Sequence, residues 1–258
     1  MKVTPKKRLG QHFLINTSVC ERIVNSLPTF ETPTHVLEIG PGKGAITSLF
    51  LQRTDLIFHA FEVDNESIEY LKVQYPDFLN IHKQDFLNAQ LLNFFSDDSF
   101  CVVGNFPYNI SSQILFRCLE YRDQIPIIMG MFQKEVARRV AATPGNKEYG
   151  ILSVIMQAFY RITYLFTVEP GSFFPPPKVK SGVILCERLD RKHLECDEKL
   201  FIKVVKLAFN QRRKTLRNSL KNLGLGEILD GFERKRPEQL SVEDFIQLTQ
   251  FIEKNVKN

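Results

Sequence analysis

From about residue 34 to residue 132 the chain alternates short apolar runs with stretches of helical periodicity. That alternation leaves few folds open, because strands separated by helix-length segments pair in parallel through crossover helices. Val36-Leu37-Glu38-Ile39 reads as a first strand, Leu56 to Val63 as a second, Asn80 to Gln84 as a third, Phe100 to Gly104 as a fourth and Pro126 to Phe132 as a fifth. The first two intervening helices are placed at Ala45 to Gln52 and after a capping Asn65. The next runs from Ser111 or Ser112, as its cap, to Leu119. Two later runs, Ile162 to Val168 and Val183 to Leu189, flank a proline-rich loop and predict a late antiparallel addition to the sheet. Beyond about residue 190 the pattern is helical throughout. Lys199 to Phe209, Arg213 to Leu223 (punctuated by Gly224 and Gly226) and Val242 to Lys254, with Ser241 as cap, are the expected helices. The chain therefore predicts an α/β domain over 1–190 and a small all-helical domain over 191–258.

The formal charge of +5 is unevenly placed. Residues 191–258 hold 15 Lys and Arg against 10 Asp and Glu, whereas residues 1–190 carry 19 of each. Lys199 to Lys221 contains eight basic residues and no acidic one, the footprint expected of a polyanion partner. No stretch approaches the roughly 20 apolar residues that span a bilayer, and Met1 to Arg8 lacks the apolar centre of a signal peptide, so a cytoplasmic protein is expected with no membrane partner. The five cysteines form no C-x-x-C pair, which predicts reduced thiols and no zinc site.

Chemistry-bearing residues fall at successive strand ends, the edge where open α/β sheets bind ligands. Glu38-Ile39-Gly40-Pro41-Gly42-Lys43-Gly44 forms a tight glycine turn between strand and helix, suited to close approach by a nucleotide-like ligand. Glu62 closes the second strand, placed to accept both hydroxyls of a ribose. Asp85 follows the third, placed to accept an adenine amino group, and Asn105 follows the fourth. A dinucleotide-dependent dehydrogenase shares the glycine turn and the ribose carboxylate but gives no role to Asn105. Asn105-Phe106-Pro107-Tyr108 resembles the N-x-P-[YF] motif of the amino-methyltransferases. The lone pair of an exocyclic amine is conjugated into its ring, so attack needs acceptors for its N–H groups. The Asn105 side-chain carbonyl and the Phe106 backbone carbonyl supply them, Pro107 stiffens the turn, and Tyr108 offers an aromatic face to an unstacked base.

Further segments narrow the resemblance. Lys7-Arg8-Leu9-Gly10-Gln11-His12-Phe13-Leu14, Gln133-Lys134-Glu135-Val136, Phe173-Phe174-Pro175-Pro176-Pro177-Lys178-Val179 and Ala208 to Leu220, together with the two motifs above, are similar to the ribosomal RNA adenine dimethyltransferases. Within that family the bacterial small-subunit enzymes match best, over about residues 6 to 250. The resemblance implies a Rossmann-like class I methyltransferase sheet that uses S-adenosylmethionine, releases S-adenosylhomocysteine and needs no metal. It implies a cofactor site of Gln11, His12, Leu14, Gly40, Gly42, Glu62, Asp85, Phe86 and Asn105, and a target adenine sandwiched between Tyr108 and Phe173. The substrate it implies is a pair of adjacent adenosines near the 3′ end of 16S rRNA in an immature small subunit, each dimethylated during ribosome biogenesis by a monomeric enzyme. The chain departs from the family at His12, where Asn is common, at Phe106, where Leu is usual, at Phe174, where a small hydroxyl residue is frequent, and at Lys180, where an acidic residue is expected.

RNA-backbone contacts are expected from Arg212, Arg213, Lys214, Arg217 and Lys221, whose like charges on helical faces repel until phosphates relieve them. Lys6, Lys7 and Arg8 are expected as a second anchor. Three other readings remain open: an assembly factor that binds RNA with methylation secondary, a methyltransferase of large-subunit RNA, and a DNA adenine methyltransferase, for which the chain offers no added sequence-reading domain.

Overall fold

The computed structural model describes residues 3–221 and 231–256. The strands are β1 (Phe13–Leu14), β2 (Thr34–Ile39), β3 (Leu56–Glu62), β4 (Ile81–Lys83), β5 (Phe100–Asn105), β6 (Ile127–Gln133), β7 (Tyr160–Val168), β8 (Phe173–Phe174) and β9 (Ser181–Arg188). The α-helices are α1 (Thr17–Ser26), α2 (Thr47–Phe50), α3 (Asn65–Gln74), α4 (Leu92–Phe95), α5 (Ser111–Glu120), α6 (Lys134–Ala141), α7 (Ile151–Gln157), α8 (Glu198–Asn210), α9 (Leu216–Ser219) and α10 (Val242–Val256). Among the described residues no helix is long and apolar enough to cross a membrane.

Seven strands form one sheet in the order β4-β3-β2-β5-β6-β9-β7, with β2 to β6 parallel and β9 antiparallel to β6. This is the mostly parallel α/β sheet that the alternating pattern predicts. The strand order reverses between β2 and β5, so the carboxyl ends of those two strands splay their following loops apart and leave a crevice. Central strands carry continuous apolar runs because both faces are covered: Val36, Leu37, Cys101, Val102, Val103 and Ile128 are all fully buried. The proposed caps fall one place off. Asp64, not Asn65, precedes α3, and Ser111 is the first residue of α5, its hydroxyl donating to the Tyr108 carbonyl at 3.2 Å. Cys20, Cys101, Cys118 and Cys186 are buried free thiols and Cys196 is a half-buried one.

A second, two-stranded sheet pairs β1 with β8, placing Phe13 opposite Phe174 and Leu14 opposite Phe173. Both strands are too short for periodicity to reveal. The N-terminal segment is thereby stitched to the proline loop more than 150 residues away.

The chain divides into two compact units: Met1–Ala137 with Thr163–Arg188, and Arg138–Ile162 with Leu189–Asn258. A single cut near residue 190 thus leaves out Arg138–Ile162, which clusters with the helical part. The reason lies in α7, whose Leu152, Val154, Ile155 and Met156 are buried and which packs on α8 and α10. In this unit Asp197 caps α8 by accepting from the Leu200 amide at 2.7 Å, and Ser241 and Asp244 cap α10 reciprocally, Ser241 Oγ accepting from Asp244 N at 3.0 Å. The expected helix from Arg213 to Leu223 differs. Residues 211–214 form a turn, α9 spans only Leu216–Ser219, and residues 222 and 223 lie outside the described residues, as do Gly224 and Gly226. The amides of Leu216 and Arg217 donate to the carbonyls of Lys235 and Glu233, a tertiary pairing that starts a new helix there instead of continuing α8.

Three neighbouring strands place His35, His59 and His82 in a row. His59 Nε2 lies 3.1 Å from His35 Nδ1, and His59 Nδ1 lies 3.4 Å from His82 Nε2. Burial, reinforced by the two flanking imidazoles, pushes His59 from 6.5 down to about 4, and burial also lowers His82. Between these values the unfolded chain binds the proton that the fold refuses, so stability is full above pH 6.5 and is lost as pH falls toward 4. At about 1.4 kcal/mol per unit, the loss at His59 is on the order of 3 kcal/mol. Urea denaturation at pH 7 and near 4.5 is expected to show this loss, and His59→Phe to reduce it; an unchanged difference in the variant would exclude His59 as its source.

Candidate active site

The crevice at the sheet's carboxyl edge is a cavity of about 370 Å³. Gln11, His12, Leu14, Gly40, Gly42, Glu62, Asp85, Phe86, Asn105, Phe106, Pro107 and Tyr108 line it, gathered from the N-terminal segment and from the ends of four consecutive parallel strands. The turn after β2 holds Gly40 and Gly42 at φ +67° and +57°, a backbone that L side chains rarely adopt. A Cβ on Gly42 would meet the Phe13 ring at 2.9 Å, while one on Gly40 would point into open space. The turn is therefore a cradle, with its floor packed and its upper surface free for a ligand.

Two buried carboxyls stand in the wall. Glu62, 4% exposed, accepts the Gly42 amide at 3.1 Å and the Val63 and Asp64 amides at 2.8 and 2.9 Å, which fixes the carboxylate at the end of β3. Burial pushes it upward, against the pull of those amides. Glu38, 1% exposed, accepts from Thr47 Oγ1 at 2.6 Å, and burial raises it to about 8. Glu38 is no part of the expected site. Its only sequence signal is a carboxylate inside an otherwise apolar strand. Asp85 is exposed and shaped by its own loop, accepting the Leu87 amide at 3.0 Å and Asn88 Nδ2 at 2.6 Å. Phe86, beside it, is buried.

Asn105 ends β5, and its Nδ2 donates to the His12 carbonyl at 2.9 Å. That bond uses the donor end of the amide, so Oδ1 is left as a free acceptor, with no partner among the described residues. The Phe106 amide donates to Met131 O at 3.2 Å, pinning the turn to β6, and the Phe106 carbonyl likewise has no partner among the described residues. Tyr108 is held from two sides: its hydroxyl is 2.5 Å from Ser181 Oγ, and its ring stacks on His12 with centroids 5.7 Å apart. The His12 Nδ1 lies 2.8 Å from Pro175 O, which joins the N-terminal segment to the proline loop a second time. Ser181, fully buried at the start of β9, was not foreseen; its only trace is a serine just beyond Pro175-Pro176-Pro177-Lys178-Val179.

Four expectations need correction or completion. Phe173 does not face the cavity. It is 2% exposed within the core cluster that also holds Leu14, Val168 and Val183, while Phe174, alternating to the other face of the short strand, is 60% exposed, and neither is among the residues lining the cavity. Lys6 is not a free cation for RNA: its ammonium is paired with Asp64 and with Glu66 at 3.2 Å, and Asp64 raises its pKa. Arg8 lines the cavity, and Lys7 is exposed. In the helical unit Arg213, Lys214, Arg217 and Lys221 are exposed, with no acidic partner among the described residues, and Arg212 donates to the Asn146 carbonyl at 3.3 Å. Arg213 lies in the turn before α9, so it does not share a helical face with Arg217 and Lys221. Lys180 now has a role: it pairs with Glu169 at 2.7 Å and closes the two ends of the proline loop, where an acidic residue would repel. Among the described residues no cluster of His, Cys, Asp and Glu has the arrangement of a metal site.

The family model for ribosomal RNA adenine dimethylases matches residues 3–254. The chain belongs to that family. A ribosomal RNA small subunit methyltransferase A from Flavobacterium johnsoniae is 54% identical over 255 residues, covering 98% of this chain and 97% of that one. Its counterpart from Cytophaga hutchinsonii is 53% identical over 256 residues, covering 97% and 98%. Among solved structures, a dimethyladenosine transferase from Plasmodium falciparum superposes with a TM-score of 0.79 at 23% identity, covering 94% of this chain and 98% of that one. The 23S rRNA methyltransferase ErmE superposes with 0.69 at 23% identity, covering 92% and 99%. At that identity the two structures establish the class I methyltransferase fold and nothing finer. As a member of the family the chain is an rRNA adenine methyltransferase, and the Asn105 motif and glycine turn stand in its cavity.

Phe106, where the family usually has Leu, is accommodated by a glycine. A Cβ on Gly130 of β6 would overlap the Phe106 ring, which is 1% exposed and meets Phe132 edge-on at 5.2 Å. Gly130→Ala is expected to cost about 1–3 kcal/mol in thermal unfolding, the range for overpacking a core. Adding Phe106→Leu should recover most of it. A double variant no more stable than Gly130→Ala would show that the ring is not what Gly130 makes room for.

Proposed function

We propose that the cavity binds S-adenosylmethionine and that the enzyme dimethylates the exocyclic amines of two adjacent adenosines near the 3′ end of 16S rRNA, within an immature small ribosomal subunit. The observation that carries this reading is the orientation of the Asn105 amide: with Nδ2 committed to the His12 carbonyl, Oδ1 is available to accept from an amine. The donor set suits an adenosyl ligand. Glu62 accepts ribose hydroxyls, Asp85 accepts from the adenine amino group above Phe86, and the Gly40 turn leaves room for the backbone to approach. When bound, this cofactor supplies a methyl group already activated by a sulfonium.

The rest is done by the chain. Asn105 Oδ1 and the Phe106 carbonyl accept the two N–H groups and draw the nitrogen lone pair toward the methyl carbon. Bound there, the cofactor would supply the carbon of the new N–C bond and would take up the electron pair of its own C–S bond. The nitrogen then sheds its proton, so no strong base is required. Positioning and fixed dipoles are the chain's contribution. The exposed cations Arg213, Lys214, Arg217 and Lys221 of the helical unit bind RNA phosphate, with Lys7 and Arg8 adding contacts at the N-terminal segment. We place the enzyme in the cytoplasm as a monomer.

The test is transfer of labelled methyl from S-adenosylmethionine to unmethylated small ribosomal subunits, with nucleoside analysis of the product. Dimethyladenosine is expected from the wild type, and Asn105→Ala is expected to lower the rate by about a hundredfold or more, the scale for removing one fixed hydrogen-bonding partner from a reacting group. Undiminished transfer by Asn105→Ala would contradict the role assigned to Oδ1.

A further inference from the structure

Residues 8–14 all line the cavity, so the N-terminal strap forms one of its walls. What holds this wall differs from what holds the others. Val3 and Phe13 are buried, but none of residues 4–12 between them is. The facing walls are strand ends and turns whose Ile39, Phe86 and Phe106 belong to the hydrophobic core. Apolar burial fixes those walls, whereas the strap is fastened by polar contacts, which water replaces at small net cost when they part.

The polar contacts gather at two points. At one end the His12 carbonyl accepts from Asn105 Nδ2, and His12 Nδ1 lies 2.8 Å from Pro175 O. At the other the Lys6 ammonium pairs with Asp64 and, at 3.2 Å, with Glu66, whose Oε2 also accepts the Thr4 amide at 3.3 Å. The Lys6 amide donates to Gln11 Oε1 at 2.9 Å, and the Gln11 side chain is also hydrogen-bonded to Asp64. The ammonium therefore fastens the whole loop 6–11, not one residue alone. Its anchor is firm: the Asp64 side chain is 2% exposed, and the Asp64 amide donates to Glu62 Oε1 at 2.9 Å.

We infer that Lys6 is the positioning residue of this wall: its ion pairs with Asp64 and Glu66 latch the strap over the cavity, and their release lets the cofactor enter and its product leave. The inference rests on the proposed cofactor and extends it to how that cofactor is retained and exchanged. Each transfer leaves a spent cofactor in the cavity, so a second methyl on the same amine requires an exchange. Exchange needs a wall that opens without unpacking the core, and the strap between Val3 and Phe13 is such a wall. Opening at the Lys6 end leaves the Asn105 to His12 bond in place, so the reacting end of the site stays ordered while the ligand passes.

The experiment measures the dissociation rate of S-adenosylhomocysteine by stopped-flow displacement at low and high salt for the wild type, Lys6→Ala, Lys6→Arg, Glu66→Gln and, as a cation of α3 outside the latch, Lys72→Ala. Amide hydrogen exchange of residues 4–12 is followed in each. Lys6→Ala is expected to speed dissociation about tenfold at low salt, between the limits for an exposed and a buried ion pair, and to speed exchange in residues 4–12 alone. Salt should raise the wild-type rate and no longer raise that of Lys6→Ala. Lys6→Arg should behave as the wild type, as should Lys72→Ala. Because Lys6→Ala strands the buried Asp64 carboxylate, Glu66→Gln loosens the latch without stranding a charge, and about a threefold faster release is expected from it. Dissociation within a factor of about 1.5 of wild type in both Lys6→Ala and Glu66→Gln, an equal effect from Lys72→Ala, or exchange that rises throughout the α/β unit would each overturn the inference while leaving the cofactor reading intact. A wild type that does not bind S-adenosylhomocysteine would remove that reading, and the inference with it.

Discussion

A single hydrogen bond, from Asn105 Nδ2 to the His12 carbonyl, organises the site. It sets which end of the Asn105 amide meets the cavity, and it fixes the N-terminal segment across the carboxyl ends of β2 and β5. A half-buried donor with so specific a partner does not rotate freely, because turning the amide would leave its N–H groups without the His12 carbonyl and set two oxygens against each other. The same residue, His12, braces Tyr108 through its ring and reaches Pro175 through Nδ1. Three segments distant in sequence, namely the N-terminal strap, the turn after β5 and the proline loop, therefore share one residue as their junction.

Around that junction the cavity wall is built from groups held against their solvent preferences. Glu38 and Glu62 are buried carboxyls that burial pushes upward, each retained by hydrogen bonds from its own neighbourhood. Asp64, close behind Glu62, is likewise pushed up by burial, but the hydrogen bonds from Lys6 and Ser67 outweigh this and leave it lowered. Lys6 thereby latches the strap to the start of α3. A site assembled this way presents fixed acceptors to a ligand without needing to reorganise, which is what transfer to a weakly nucleophilic amine demands.

The parallel sheet and its strand-end residues were legible in the sequence because both depend on local pattern: apolar runs of strand length, glycine where φ turns positive, and a polar residue where each strand stops. Glu62, Asp85 and Asn105 could be placed on one edge for that reason alone. What was not legible depends on long-range pairing. The two-residue strands β1 and β8 are invisible to periodicity, so the face that each of Phe173 and Phe174 presents could not be assigned, and family resemblance pointed to the one that the core absorbs. Lys6 reads as an anchor for RNA in sequence because its partners, Asp64 and Glu66, lie some 60 residues away. The helical reading of Arg213 failed because the amides of α9 are met by carbonyls at Glu233 and Lys235. The segment 138–162 reads as part of the α/β domain until α7 is seen packing on α8 and α10.

The most direct test of this account is a crystal structure of the enzyme with S-adenosylhomocysteine. The ligand is expected in the cavity between the β2 and β5 ends, with both ribose hydroxyls on Glu62, the adenine amine at Asp85 beside Phe86, and the sulfur facing the Asn105 side chain while the Asn105 to His12 bond is kept. A ligand bound elsewhere, or one whose binding turns the Asn105 amide away from His12, would contradict it.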